Sequence, residues 1–364
     1  MKLFSCYTHS LLSGALSVAI IAMVCVASVQ ADSIRDAKWY RLDSGVDTNI
    51  AFLSGSSLDS LYTTSDTAVR MYDSATATWA DLQSWSDHFA GNTNWSGVTD
   101  VSVASAGDKI YVMSKGSHNQ VGYFDGTNWT DITATTRTWS SPMAVNGDTA
   151  LNIGQTSGAV ALFKLVGGEM ASGFPKYNMQ NLGLFSSVMS IDGNGAGVYW
   201  ARDNTNKVSR SVDGGLTWTQ VESLPASGVS GNYSIHAIDA DHAIASAANR
   251  GRVYRTSDGG ETWEQVGGVT FASGHARGIH VNDWNDIVAF GSFSGLYHWD
   301  GDTWSHIELP DHLSSETLRS IAKVDGEYFV AGADGVMYST VPEPGTLGLI
   351  VLGGCGAIIR RKRR

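Results

Sequence analysis

Between its two ends the chain has no cysteine: Cys6 and Cys25 lie in the N-terminal apolar stretch and Cys355 in the C-terminal one. A body spanning 32–343 therefore has no disulfide framework, no thiolate metal site and no cysteine nucleophile. At roughly 310 residues it is long enough for an apolar core to hold it together unaided. Proline is scarce, six residues in 364, whereas glycine numbers 41. Basic residues are few as well. Of 24 Lys and Arg, Lys2 and the five at 360–364 belong to the end segments, which leaves eighteen against 35 Asp and Glu. A body charge near −17 argues against nucleic acid or anionic lipid as a partner and favours a solvated, self-repelling surface that attracts cations. What is plentiful, Gly, Ser, Thr, Trp and Tyr, suits short strands joined by tight turns.

The ends carry addresses. Met1-Lys2 supplies a small positive region, Leu11 to Val29 an uncharged apolar run, and Val29-Gln30-Ala31 a small-x-small site before Asp32. That order predicts a secretory signal peptide over 1–31. A permanent N-terminal anchor is the alternative, although no basic stop-transfer cluster follows the run. At the other end, Pro342-Glu343-Pro344 precedes a Gly-rich uncharged segment and the cluster Arg360-Arg361-Lys362-Arg363-Arg364. About 15 residues at a helical rise of about 1.5 Å reach roughly 22 Å, less than a hydrocarbon core of about 30 Å, with the arginines able to snorkel. Terminal basic residues stay cytoplasmic, so everything before Pro342 faces outward. The triplet, hydrophobic segment and Arg cluster of 341–364 resemble the PEP-CTERM sorting signal of Gram-negative bacteria. The resemblance implies an exosortase as partner of the tail, through Pro342, Glu343, Pro344, Arg360 and Arg361. It also implies a precursor held in the inner membrane by the C-terminal helix, then release to the cell surface or extracellular matrix. It is an address and is silent on what the cargo does.

Self-similarity organises the middle. Segments running from Val188 to Val221 and from Tyr233 to Val266 align, and each contains Ser/Thr-x-Asp-x-Gly-x-Thr-Trp. The copies are Ser211, Asp213, Gly215, Thr217, Trp218 and Thr256, Asp258, Gly260, Thr262, Trp263. In such a turn the carboxylate and hydroxyl satisfy turn amides, glycine permits a positive φ, and tryptophan plugs the blade edge. The two copies resemble the Asp-box, or BNR repeat, of sialidase-like propellers, and this stretch is also similar to photosystem II assembly-factor propellers. Looser copies place Trp79, Trp129, Met170 and Trp304 in the same slot, spaced by about 40 to 50 residues, the length of one four-stranded blade. The last repeat, from Leu318, supplies three strands and stops. Its missing outer strand is expected from the segment around Trp39, 40 residues before Trp79. The expectation is therefore an all-β chain over 32–340. It is a β-propeller of seven blades, with six or eight also open, closed by an N-terminal strand and flanked by a signal helix and a C-terminal transmembrane helix.

A catalytic constellation is harder to find. The sialidase resemblance implies an Arg-Ile-Pro motif, three arginines clamping a carboxylate and a Tyr-Glu pair, but no Arg-Ile-Pro occurs. The arginines of the body, from Arg35 to Arg319, include several beside repeat strands. Acidic residues are too numerous for one pair to stand out. No catalytic residue, cofactor or metal is assigned. His236 and His280 share one repeat position on expected channel strands. They read either as a two-histidine site with Asp239 or Asp283, or as satisfied structural histidines, the second being favoured. Trp284, in the polar turn Asn282-Asp283-Trp284-Asn285-Asp286, is the first candidate for an exposed stacking aromatic. The leading functional expectation is a non-catalytic binding module for a protein or polysaccharide. The alternatives are a secreted carbohydrate-active enzyme of sialidase-like architecture and an assembly factor for a membrane complex.

Overall fold

A computed structural model describes residues 34–46, 50, 52–64, 68–84, 99–106, 109–115, 121–131, 143–146, 149–156, 159–173, 176–177, 188–203, 206–225, 234–247, 251–267, 276–291, 295–311 and 316–341. The signal peptide expected over 1–31 and the tail from Pro342 onward lie outside them. Among the described residues, no helix is long and apolar enough to cross a membrane.

The strands form seven antiparallel sheets, six of four strands and one with an added fifth. Taken in chain order, blades 1 to 6 occupy residues 54–84, 99–131, 143–177, 188–221, 235–265 and 276–307. Blade 7 takes three strands from Leu318–Val324, Glu327–Gly332 and Met337–Ser339 and its outer strand from Tyr40–Leu42. The first strand of each blade touches the first strand of the next, and that of blade 7 touches that of blade 1. The ring is closed: a seven-bladed β-propeller.

Second strands sit mid-blade, covered on both faces by neighbouring blades. They therefore read as unbroken apolar runs rather than alternating ones. Every residue of Tyr199–Asp203 and Ala243–Ala247 is buried, with Ala243, Ala245 and Ala247 small enough for close blade packing. At the outer edge Trp39, Trp79, Trp129 and Trp218 are buried in the repeating slot, whereas Met170 in blade 3 is exposed. Two tryptophans reach back to the preceding blade: Trp263 Nε1 donates to the carbonyl of Glu222 at 3.2 Å, and Trp304 Nε1 to that of Val266 at 3.1 Å.

The closing strand is held by more than its ladder, Tyr40 opposite Ser339 and Leu42 opposite Met337. Arg41 donates to Glu316 at 2.8 Å and to the carbonyl of Asp311 at 2.7 Å, and the Tyr338 hydroxyl donates to Glu316 at 3.0 Å. Burial, and then the adjacent Glu316 carboxylate, push the Tyr338 hydroxyl pKa far up, so it stays a donor. Beyond the strand, Ser44 Oγ donates to the Gly335 carbonyl at 2.6 Å. Gly335 has φ +70°, and a Cβ there would lie 1.8 Å from the Val46 carbonyl oxygen, so only glycine fits.

Blades are also stitched along the channel by side chains that accept backbone N–H groups of the next inner strand. Ser190 accepts from Ile235, Ser234 from Ile279, Ser320 from Leu53, Ser54 from Ser105 and Asp192 from Ala237, all at 2.8–3.0 Å. The device gives edge amides that no sheet partner can reach a side-chain acceptor.

The two faces differ. Turns between first and second strands and between third and fourth strands share one face, tied by Gly214 N to the Gly197 carbonyl at 2.8 Å and Gly259 N to that of Asp241 at 3.0 Å. The last strand ends on this hairpin face too, where Thr340 N donates to the Tyr328 carbonyl at 3.0 Å.

Candidate binding site at the central channel

On the hairpin face the acidic side chains are turned inward on their own turns. Ser211 Oγ donates to Asp213 at 2.9 Å and accepts from Gly215 N at 3.0 Å. Asp213 also accepts the amide and hydroxyl of Thr217, at 2.8 and 2.6 Å. The Thr256, Asp258, Gly260, Thr262 turn repeats each bond within about 0.1 Å. The Thr262 hydroxyl and amide hold Asp258 down to a pKa of about 2. For Asp213, burial pulls upward, but bonds from Thr217 and Ser211 win and the pKa is lowered. Asp73, Asp125 and Asp300 cap the looser turns through amides two and three residues on, and each is likewise lowered. These carboxylates organise turns and have little left over for a ligand.

The channel is different. Inner strands of blades 4 to 7 run in phase as Ser190-Ile191-Asp192, Ser234-Ile235-His236, Gly278-Ile279-His280 and Ser320-Ile321-Ala322. His236 and Asp192 are both partly open, 37% and 29% exposed, and His236 Nδ1 lies 2.9 Å from Asp192 Oδ2. His280 sits edge-on to Tyr328 with centroids 6.0 Å apart. Burial, followed by His236 and Lys323, pushes its pKa down to about 4, so it is neutral at physiological pH. Asn282 bridges below, donating to the Tyr328 hydroxyl at 2.8 Å and accepting from Lys323 at 3.1 Å. Asp286 receives His298 Nε2 at 2.9 Å.

Neither aspartate considered alongside the two histidines joins them in a ligand set. Asp239 holds His242 Nδ1 at 2.8 and 3.0 Å, and Asp283 accepts the amide of Asn285 at 2.7 Å. Among the described residues no three His, Cys, Asp or Glu side chains group as metal ligands. Trp284 departs from the expected free aromatic. It is half-buried, with the His242 ring edge-on at 5.2 Å and the Arg255 guanidinium over it at 4.7 Å. Blade 5 covers it because its turn leans on the hairpin face of the neighbouring blade. Trp200, also outside the repeating slot, is wholly buried, while Trp85, Trp95 and Trp139 lie outside the described residues.

At the opposite end of the inner strands a bulge recurs. Pairing shifts between Thr99 and Val101, Val188 and Ser190, Ala276 and Gly278, and Leu318 and Ser320. The extra residues are Asp100, Met189, Arg277 and Arg319. Sequence reading missed both this bulge and the stitching serines, although each recurs in phase with the repeat.

Residues 340–364 match the family described as PEP-CTERM protein-sorting motif. The tail is a PEP-CTERM sorting motif. Such a motif implies recognition by an exosortase and export in a Gram-negative bacterium by way of a membrane-anchored precursor. No curated protein matches the chain significantly. Among solved structures, YCF48 from Cyanidioschyzon merolae is 19% identical with TM-score 0.62, covering 83% of this chain and 98% of that one. A structure titled YCF48 bound to D1 peptide is 14% identical with TM-score 0.61, covering 87% and 99%. The GH74 enzyme of Niastella koreensis is 15% identical with TM-score 0.56, covering 82% of this chain and 53% of that one. At these identities the likeness is one of fold.

Proposed function

We propose that the chain is an exported, non-catalytic propeller that binds a protein or polysaccharide at its channel and is sorted by an exosortase. The observation that carries the reading is the contrast between the two sets of polar groups. Hairpin-face aspartates are engaged by their own turns, whereas Asp192, His236 and Lys323 stand on inner strands with atoms open to the channel. A propeller of the same fold solved with a peptide supports it. The Ser211–Trp218 and Thr256–Trp263 turns then act as Asp-box supports of the blades and make no ligand contact. Residues 1–31 serve as a cleaved signal, 32–340 as the propeller, and Pro342, Glu343, Pro344, Arg360 and Arg361 as the part read by the exosortase. Purified full-length chain in detergent, screened on glycan and peptide arrays, should retain one class of ligand. Turnover of a bound glycan would overturn the non-catalytic reading, and silence on both arrays would overturn binding itself.

A further inference from the structure

Arg277 and Arg319 are the bulged residues of neighbouring inner strands, in blades 6 and 7, at the channel mouth opposite the hairpin face. A bulge leaves its extra residue out of the ladder and re-aims the side chain. Here the same irregularity recurs one blade later, so the two arginines hold equivalent places on adjoining inner strands. Among the described residues neither has an ion-pair or hydrogen-bond partner, and the Nε of each is enclosed with nothing to donate to. Arg35, Arg41, Arg70, Arg210 and Arg255 each pair with a carboxylate; Arg252 shares the enclosed, unpartnered Nε but has no bulged arginine on the neighbouring strand. Burial, and then the Arg319 charge, lower the Arg277 pKa, as expected of a like-charged pair with no counter-ion. Two forked donors, parallel in register and unpaired, fit a carboxylate, which accepts from both.

In a polysaccharide, the group that meets this description is the carboxylate of a uronic acid residue. The strongly acidic body as a whole repels a densely charged polymer and accepts one with isolated anions. We propose that Arg277 and Arg319 form a subsite for the carboxylate of a uronic acid residue in an acidic polysaccharide. The inference rests on the reading of the channel as a binding site and names the ligand class it takes.

The test is titration calorimetry of the full-length protein in detergent with hyaluronan oligosaccharides, in which uronic acid alternates with a neutral sugar, and with a neutral oligosaccharide as control, repeated on Arg277→Gln and Arg319→Gln. Wild type should bind the uronate only, more weakly as salt rises, and each variant should lose at least about tenfold in affinity. Arg277→Lys, which keeps the charge but not the fork, should fall between. Thermal melts guard against misfolding. Neither glutamine variant should melt below wild type, because each relieves a repulsion, and uronate should raise the wild-type midpoint alone. Uronate binding unchanged in both variants overturns the subsite while leaving a binding channel. Capture of an acidic peptide through the same arginines overturns the sugar assignment alone. Absence of any ligand on the arrays and in the titration overturns the underlying reading.

Discussion

Single residues fix the turns of this propeller, and their energetics can be checked one at a time. Ser211 and Thr256 are buried and each is the acceptor for a buried glycine amide. Ser211→Ala or Thr256→Val strands that amide, so each should cost about 1–3 kcal/mol in urea unfolding. Acid acts on the same turns. A carboxylate lowered to about 2 in the fold and near 4 when unfolded stabilises the native state above about pH 4, and that contribution fades as pH falls towards 2. Melting temperature should drop across that window, less so in Asp258→Asn, which is already weakened at neutral pH. His280 works in a higher window. Its folded pKa of about 4 lies below the unfolded value of 6.5, so the unfolded chain takes up a proton first and stability declines from about pH 6.5 towards 4. His236, Lys323, Asp286 and Asn282 face it and set this behaviour; His280→Asn should flatten the profile in that range. The Asp-x-Gly-x-Thr-Trp turns were readable in sequence because every group they use is local. The stitching serines were not, since Ser320 finds its partner at Leu53, far along the chain.

At the scale of elements, the strand that the N-terminus lends to blade 7 is the one whose loss is most informative. Trp39 is buried with Tyr328, Leu296 and Val288, and its strand completes blade 7. Trp39→Ala should cost about 3–5 kcal/mol, measured by chemical denaturation. Glu316→Gln should cost less, because Tyr338 can still donate to the amide oxygen while Arg41 loses its ion pair. The strand was legible because Trp39 keeps the period of the tryptophan slot. Blade 3 was the weak link in that count, and its exposed Met170, opposite Leu165 in the ladder, shows why: a slot open to solvent places little demand on its occupant. The bulge could be recovered only once pairing was known. Arg277 and Arg319 precede the in-phase Ile279 and Ile321 by two residues, yet nothing in the letters says that each is the extra residue of a bulge.

For the whole molecule, the repeat period, the missing strand and the tail motif together made fold and export readable, because each depends on spacing that a linear chain displays. The site was less so, because a channel is assembled from seven separate segments. The address is testable directly. Replacing Pro342-Glu343-Pro344 by alanines should leave the protein in the inner-membrane fraction, and the wild type should leave it, as followed by fractionation and blotting. The exit point of the last strand has a further consequence. Ser339 ends on the hairpin face, and only six residues, about 20 Å when extended, separate it from the uncharged run that begins at Thr346. On the proposed anchoring, the hairpin face is therefore the one nearest the tail, and the mouth that carries Arg277 and Arg319 lies at the other end of the inner strands, away from it.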